Sequence, residues 1–142
     1  RQVVREVTSM TYSEISLEDA WSMLADDADA ALIDVRTIAE WNFVGLPDLA
    51  SISKEVVAVE WTQFPDGSPN LDFVDQVSHH LGADQPVAII CRSGARSRSA
   101  ANALAAAGFT KLFNVSVGFE GDLDQQGHRH GGWKDHLPWQ QS

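Results

Sequence analysis

Cysteine is almost absent from this 142-residue chain, whose single thiol is that of Cys91. One thiol cannot form an intramolecular disulfide or a two-cysteine redox pair, and it supplies too few thiolates for a structural zinc site. Basic residues are also scarce, with 10 Lys and Arg against 20 Asp and Glu. Nucleic-acid-binding proteins carry a basic face and anionic membranes attract basic patches, so this balance argues against both partners.

Long apolar runs are missing as well. No stretch approaches the length of a membrane-spanning helix, and residues 1–20 lack the apolar core of a signal peptide. We therefore expect a cytoplasmic protein, although a start at Arg1 leaves open a removed leader or a trimmed chain. The length fits one domain, which we place at residues 1–142 with an N-terminal arm (1–13) and a polar C-terminal tail (122–142).

Short apolar runs alternate with helix-forming segments along the chain. The strand candidates are residues 30–35, 50–53, 86–90 and 111–115, whereas residues 56–61 fit strand, helix or irregular structure. Helices are predicted after the N-caps Ser16 and Thr37, over residues 71–77, and over the alanine-rich residues 99–107. This alternation predicts an α/β fold with a small, mainly parallel sheet and helices on both faces. In such folds the ligand crevice lies at the carboxyl ends of the strands.

Cys91 follows one of these strands directly and opens a polar loop before the alanine-rich helix. We call residues 91–97 the Cys91 loop; they are Cys91, Arg92, Ser93, Gly94, Ala95, Arg96 and Ser97. A thiol at the start of a helix meets unpaired N–H groups and the positive end of the helix dipole. The loop's arginines add positive charge, and these effects together favour the nucleophilic thiolate over the thiol.

The other loop residues fit the same purpose. Gly94 permits a sharp turn that directs backbone N–H groups inward, and Ser93 and Ser97 add hydroxyl donors. The loop therefore predicts a cradle for a thiolate, a cysteine persulfide or an incoming oxyanion. A lone cysteine is more often a small buried hydrophobe, but the polar residues after Cys91 do not suit an apolar core.

The Cys91 loop resembles the active-site loop of single-domain rhodaneses, which are sulfurtransferases. Further segments match the family's pattern in the same order over about residues 14–139; they are Asp34-Val35-Arg36 with Glu40-Trp41 and Gly45, Gly108-Phe109 before Leu112-Phe113-Asn114-Val115, Gly132-Trp133-Lys134, and Leu137-Pro138-Trp139. The resemblance implies a rhodanese-type three-layer domain. It also implies that Cys91 takes sulfane sulfur from a donor such as thiosulfate, carries it as a persulfide, and passes it to cyanide or a cellular thiol.

Two departures from the family's pattern bear on the donor. The usual Gly-His-Ile-Pro-Gly-Ala segment runs Gly-Leu-Pro-Asp-Leu-Ala over residues 45–50 and lacks the histidine. Two-domain thiosulfate enzymes have a substrate-binding basic residue where Glu40 stands here. The resemblance thus implies a small anionic sulfur donor without identifying it, and it leaves open whether the acceptor is a protein.

Within the Cys91 loop we predict Cys91 as the nucleophile and residues 92–97 as the substrate- and persulfide-binding loop. Their N–H groups would supply the main electrostatic stabilisation. Arg96, with Arg92 as a second candidate, would attract an anionic donor.

Asp34 and Arg36 are supporting candidates. They could brace the Cys91 loop from the neighbouring strand end, or form an ordinary ion pair beside the N-cap Thr37. We predict no cofactor. We also predict no metal site, because adjacent His79 and His80 cannot share a helix face, and because His128, His130 and His136 lie in a tail of flexible composition.

Two other functions use similar residues. Cysteine phosphatases and arsenate reductases of the Cys-x5-Arg type also combine a thiolate, a nest of N–H groups and an arginine. Here the sixth position after Cys91 is Ser97, and Arg96 comes one residue early. The shorter loop suits a sulfur atom better than a phosphoryl group. Rhodanese-like domains can also serve as non-enzymatic binding or persulfide-carrier modules, but the presence of the nucleophile favours activity.

Overall fold

The computed structural model describes residues 12–141. Of the predicted N-terminal arm (1–13), residues 1–11 lie outside the described residues. In chain order the elements are β1 (Ser13–Ile15), α1 (Leu17–Asp26), β2 (Ala31–Asp34), α2 (Ile38–Phe43), β3 (Leu46–Pro47), β4 (Val57–Ala58), β5 (Thr62–Gln63), β6 (Ser68–Pro69), α3 (Phe73–Ser78), β7 (Val87–Ile90), α4 (Ala95–Ala106), β8 (Leu112–Val115), β9 (Gly121–Leu123), β10 (Arg129–Gly131), α5 (Trp133–His136) and β11 (Trp139–Gln140).

The central sheet has five strands in the order β1-β8-β7-β2-β4, and every neighbouring pair is parallel. This arrangement confirms the predicted α/β class. Strand β7 lies in the middle of the sheet, with β8 and β2 on its two sides. Its four residues are all buried, as the continuous apolar run predicts for a parallel strand covered on both faces.

Alternate residues of the strands pack into two separate cores. On one face, Ile33 and Ile89 join a cluster formed with α3 and α4. On the other, Leu32 and Ile90 join a cluster formed with α1 and the C-terminal Trp133. Helices therefore cover both faces, which confirms the three-layer prediction.

Side-chain caps fix where the first two helices begin. The Ser16 hydroxyl accepts the Asp19 amide at the start of α1. Thr37 and Glu40 form a full capping box at the start of α2, because each side chain accepts from the other residue's amide. Both N-caps agree with the sequence prediction. The box also fixes Glu40 in the first turn of α2.

One predicted strand and the predicted start of one helix were wrong. Residues 50–53, predicted as a strand, instead form a short 3₁₀ turn (Ala50–Ile52), because the Asp48 carboxylate accepts the Ala50 amide and curls the chain. Helix α4 begins at Ala95 rather than at residue 99. Gly94 has φ of +107°, and this conformation, which glycine adopts at little cost, lets the chain turn from the loop directly into the helix.

The C-terminal segment is polar, as its sequence indicates, and it is folded. Strands β9 and β10 form an antiparallel pair, and β11 pairs with β3. Trp133 is fully buried and its indole N–H donates to the Pro138 carbonyl at 2.7 Å. Within residues 12–141, none of the helices combines the length and apolar composition that crossing a bilayer would require.

Gly94→Ala tests the constraint at the turn into α4. A Cβ on Gly94 would overlap the Ser116 carbonyl, in addition to the strain of a positive φ. Gly127 also has a positive φ (+81°), but a Cβ there has no other heavy atom within 4 Å. We expect Gly94→Ala to lose about 2 kcal/mol more unfolding free energy than Gly127→Ala, measured by urea denaturation. Equal losses would show that the contact with Ser116 imposes no constraint.

Candidate functional site

Backbone hydrogen bonds from both sides hold the end of β7. The Val35 amide donates to the Ile90 carbonyl at 3.0 Å. On the other side, the Phe119 amide donates to the Cys91 carbonyl at 2.8 Å, and the Glu120 amide to the Arg92 carbonyl at 3.0 Å. Gly118 allows this approach, since its Cα lies so close to the Arg92 carbonyl that a Cβ would overlap it. Cys91 is therefore fixed at the carboxyl end of the central strand.

The Cys91 side chain is fully buried, with 0% of its surface exposed. The Gly94 amide donates to Sγ at 3.1 Å, and the Ser97 hydroxyl oxygen lies 3.2 Å from Sγ. Within residues 12–141, no protein acceptor takes the loop's other amides, which are those of Arg92, Ser93, Ala95, Arg96 and Ser97. One amide thus contacts the sulfur directly, and the first turn of α4 adds others that are free to bind an anion.

Ser97 connects the sulfur to two strands of the sheet. Its Oγ lies 2.5 Å from Oδ1 of Asn114 in β8 and 3.1 Å from the Gly94 carbonyl. The Asn114 amide Nδ2 donates to Oε1 of Glu14 in β1 at 2.9 Å and lies 3.4 Å from the Gly94 carbonyl. Ser97 and Asn114 are both fully buried.

Sequence reasoning missed Asn114 and Glu14 as site residues. The sequence held one signal for Asn114, which is a polar side chain within the otherwise apolar strand Leu-Phe-Asn-Val. A buried amide is costly unless it is hydrogen-bonded, so such a side chain indicates a buried polar partner. Its partners depend on which strands are neighbours, and the sequence alone does not give that order.

Arg96 forms a bidentate ion pair with Glu40 across the mouth of the loop. The Nη1–Oε1 and Nη2–Oε2 distances are 2.7 and 2.9 Å. Burial alone would raise the pKa of Glu40, but the hydrogen bonds and charge of Arg96 and the Thr37 amide together hold it below its ordinary value of 4.5. In turn the hydrogen bonds that Arg96 donates to Glu40 raise the pKa of Arg96, against the lowering effect of burial. Arg96 therefore already has a carboxylate partner.

Asp34 and Arg36 form an ion pair in which both side chains have 0% exposure. The Arg36 Nη2 lies 2.6 Å from Asp34 Oδ2, and it also donates to the Gly45 carbonyl at 2.6 Å. The guanidinium carbon lies 4.1 Å from the ring centroid of Phe119, whose amide holds the Cys91 carbonyl. The geometry is that of a buried ion pair, and Phe119 connects it to the Cys91 loop.

The remaining loop side chains face outward or are partly covered. Arg92 and Ala95 are exposed and Ser93 is half-buried. Within the described residues Arg92 forms no ion pair. Arg98, just beyond the loop, does form one, with its Nε 3.5 Å from Glu14 Oε2. Of the two arginines predicted to attract an anionic donor, Arg92 thus keeps its charge available and Arg96 is neutralised.

Sequence comparisons give relatives over nearly the whole chain. A family model described as STR4 middle domain matches residues 12–142. The Rickettsia conorii protein named Uncharacterized protein RC0915 is 36% identical over 133 residues, which cover 92% of this chain and 99% of that protein. The protein named Thiosulfate sulfurtransferase GlpE from Glaesserella parasuis is 31% identical over 111 residues, which cover 78% of this chain and 86% of its own.

Solved structures with the same architecture are also found. Rv0390 from M. tuberculosis superposes with a TM-score of 0.85 at 46% identity, over 92% of this chain and 99% of that one. A polysulfide-sulfur transferase homodimer from Wolinella succinogenes superposes with a TM-score of 0.63 over 99% of this chain and 87% of its own. At 20% identity the second likeness shows the fold alone.

The Glu40–Arg96 pair predicts a pH dependence of stability. A carboxyl group whose pKa is lower in the folded than in the unfolded chain stabilises the fold above its unfolded pKa, and this contribution is lost as the pH falls through the folded pKa. We therefore expect the urea midpoint of the wild type to fall more steeply below about pH 4.5 than that of Glu40→Gln. Parallel midpoint curves for the two proteins would show that the pair contributes nothing to stability.

Proposed function

The chain belongs to the rhodanese-like sulfurtransferase family, and we propose that it transfers sulfane sulfur from a donor to a thiophilic acceptor through a persulfide on Cys91. The observation that carries this proposal is the position of Sγ. It lies at the carboxyl end of the central strand, 3.1 Å from the Gly94 amide, and beside the N-terminal turn of a 12-residue helix. The curated relative from Glaesserella parasuis bears the name of a thiosulfate sulfurtransferase, which supports the same chemistry.

The first half-reaction forms a sulfur–sulfur bond. The Cys91 thiolate attacks the outer sulfur of the donor and displaces the rest of it as an anion. With thiosulfate, the S–S bond of the donor breaks, sulfite leaves with the bonding electron pair, and Cys91 retains one sulfur atom as an anionic persulfide. The total charge is unchanged by the step. Loop amides without a protein acceptor suit the new terminal anion, because preorganised N–H donors stabilise charge without rearrangement.

The second half-reaction returns the enzyme to its starting state. A nucleophilic acceptor such as cyanide or a thiolate attacks the terminal persulfide sulfur, and the Cys91 thiolate leaves with the electron pair. The products are thiocyanate or a new organic persulfide. Residues 1–142 contain no second cysteine, so an acceptor thiol comes from outside them.

The electrostatics of the mouth disfavour a small dianion as the best donor. Arg96 is the arginine that the sequence predicts to attract an anionic donor, but both of its terminal nitrogens donate to the Glu40 carboxylate. Arg92 is exposed and is screened by solvent. We therefore propose a monoanionic organic sulfur donor as the better substrate.

Cys91→Ala tests the nucleophile. We expect loss of all sulfur transfer from thiosulfate to cyanide, because the attacking atom is removed, with no change in circular dichroism or in oligomeric state. The matched control is Ser99→Ala in the exposed part of the same helix, and it should keep wild-type activity. Thiocyanate formation by the Cys91→Ala protein at the wild-type rate would contradict the mechanism.

Glu40→Gln tests the donor preference. The substitution keeps the shape of the side chain and removes the charge that neutralises Arg96. We expect kcat/KM to rise about tenfold for thiosulfate, a dianion, and about threefold for benzenethiosulfonate, a monoanion, at low salt. The gain should shrink as salt is added, since the groups are partly exposed.

The matched control for this experiment is Glu18→Gln, which removes a carboxylate from the exposed face of α1. It should change neither donor's kcat/KM. Equal gains for the two donors in Glu40→Gln would mean that the donor's charge is not what this pair discriminates.

A further inference from the structure

Ser97 has one hydroxyl proton and three neighbours that compete for it. Its Oγ lies 2.5 Å from Asn114 Oδ1, 3.1 Å from the Gly94 carbonyl, and 3.2 Å from Cys91 Sγ. Two oxygens as close as the first pair need a proton between them, since their lone pairs would otherwise repel. The Ser97 proton therefore lies on the line to Asn114 and not on the line to sulfur.

The orientation of the Asn114 amide is fixed by its other partners. Its Nδ2 faces a Glu14 carboxylate oxygen at 2.9 Å and the Gly94 carbonyl at 3.4 Å, and both of these groups accept only. Rotating the amide by half a turn would set its oxygen against two acceptors. Oδ1 must therefore face Ser97, and it can only accept.

Because the Ser97 hydroxyl donates its hydrogen bond to Asn114 Oδ1, the Ser97 oxygen directs a lone pair at the sulfur. The 3.2 Å contact between Oγ and Sγ is then a hydrogen bond only if the proton is carried by sulfur. We infer that Asn114 is a positioning residue for the proposed reaction. By holding the Ser97 hydroxyl proton, it withholds that proton from the Cys91 sulfur.

This arrangement also defines how the nucleophile is released. For the Ser97 hydroxyl to stabilise a thiolate, it must turn about its Cβ–Oγ bond and donate to the sulfur beside the Gly94 amide. The Ser97–Asn114 hydrogen bond is lost in the same movement. Asn114 therefore opposes formation of the thiolate, and removing its oxygen should favour the thiolate.

Charged groups near the sulfur come from four elements and from the Cys91 loop itself, and those of the four elements are paired, whereas the exposed Arg92 has no ion pair within the described residues. Arg96 in α4 is paired with Glu40 in α2, and Arg36 is paired with Asp34 at the end of β2. Glu14 in β1 contacts Asn114 and, at its exposed edge, Arg98. Because these charges largely cancel, the direction of one hydroxyl proton has a measurable effect on the sulfur.

The test is a titration of thiolate absorbance against pH, with the Cys91→Ala spectrum subtracted. Cys91 is the chain's one cysteine, so the signal belongs to it. We expect Asn114→Leu to lower the midpoint of this titration and to raise the thiolate-to-thiol ratio at a given pH about fivefold, the size of one hydrogen bond. Asn114→Ala, which adds no branched volume, should move the midpoint in the same direction if the Leu variant folds poorly.

A double-mutant cycle separates this effect from a general disturbance of the site. In a Ser97→Ala background, Asn114→Leu should produce no further downward shift, because the hydroxyl that it releases is gone. The control Asn70→Leu removes an asparagine whose Nδ2 donates to the Glu60 carbonyl and to Gln76 rather than to the Cys91 loop, and it should leave the midpoint unchanged.

An unchanged or raised midpoint in Asn114→Leu would overturn the inference, as would a downward shift that persists without Ser97. The inference rests on Cys91 being the nucleophile of the proposed function. The titration does not depend on sulfur transfer. A protein that shows the expected midpoint shift but no sulfurtransferase activity would contradict the proposed function and not this inference.

Discussion

The carboxyl end of strand β7 is fixed in place, and this fixes the geometry of the whole site. Hydrogen bonds from Val35 on one side and from Phe119 on the other hold the backbone at Ile90 and Cys91. The sulfur is thereby delivered to one place, and Gly94 turns the chain so that its amide meets Sγ before α4 begins. A loop with mobile ends would lose this geometry, since anion-binding amides are effective only when they are already oriented.

Most of the charge around the Cys91 loop is balanced in pairs. Arg96 pairs with Glu40 and Arg36 with Asp34, whereas Arg92 is exposed and the sulfur itself has 0% exposure. Burial of unpaired charges would cost several kcal/mol each, so pairing is what allows so many ionic groups beside an apolar core. The same pairing reduces the net positive field at the mouth. Backbone amides and one hydroxyl are then the groups that respond to the charge of the sulfur.

The sequence predicts the architecture well and the contacts of the site only in part. The alternation of apolar strands and capped helices indicates the parallel sheet, and the residues after Cys91 indicate an anion cradle. The partners of Glu40 and Asn114 come from residues 56 and 100 positions away, and only the strand order brings them together. The 3₁₀ turn at Ala50–Ile52 was missed because the side chain of Asp48 overrides a weak strand pattern.

A persulfide on Cys91 can be detected by mass spectrometry of the intact protein. The protein is incubated with a sulfane-sulfur donor, separated from it without reductant, and digested to assign any added mass. We expect one added sulfur atom, which lies on the peptide containing Cys91 and is removed by cyanide. If the Cys91 peptide gains no sulfur after thiosulfate, benzenethiosulfonate and an organic persulfide, then Cys91 is not the sulfur carrier.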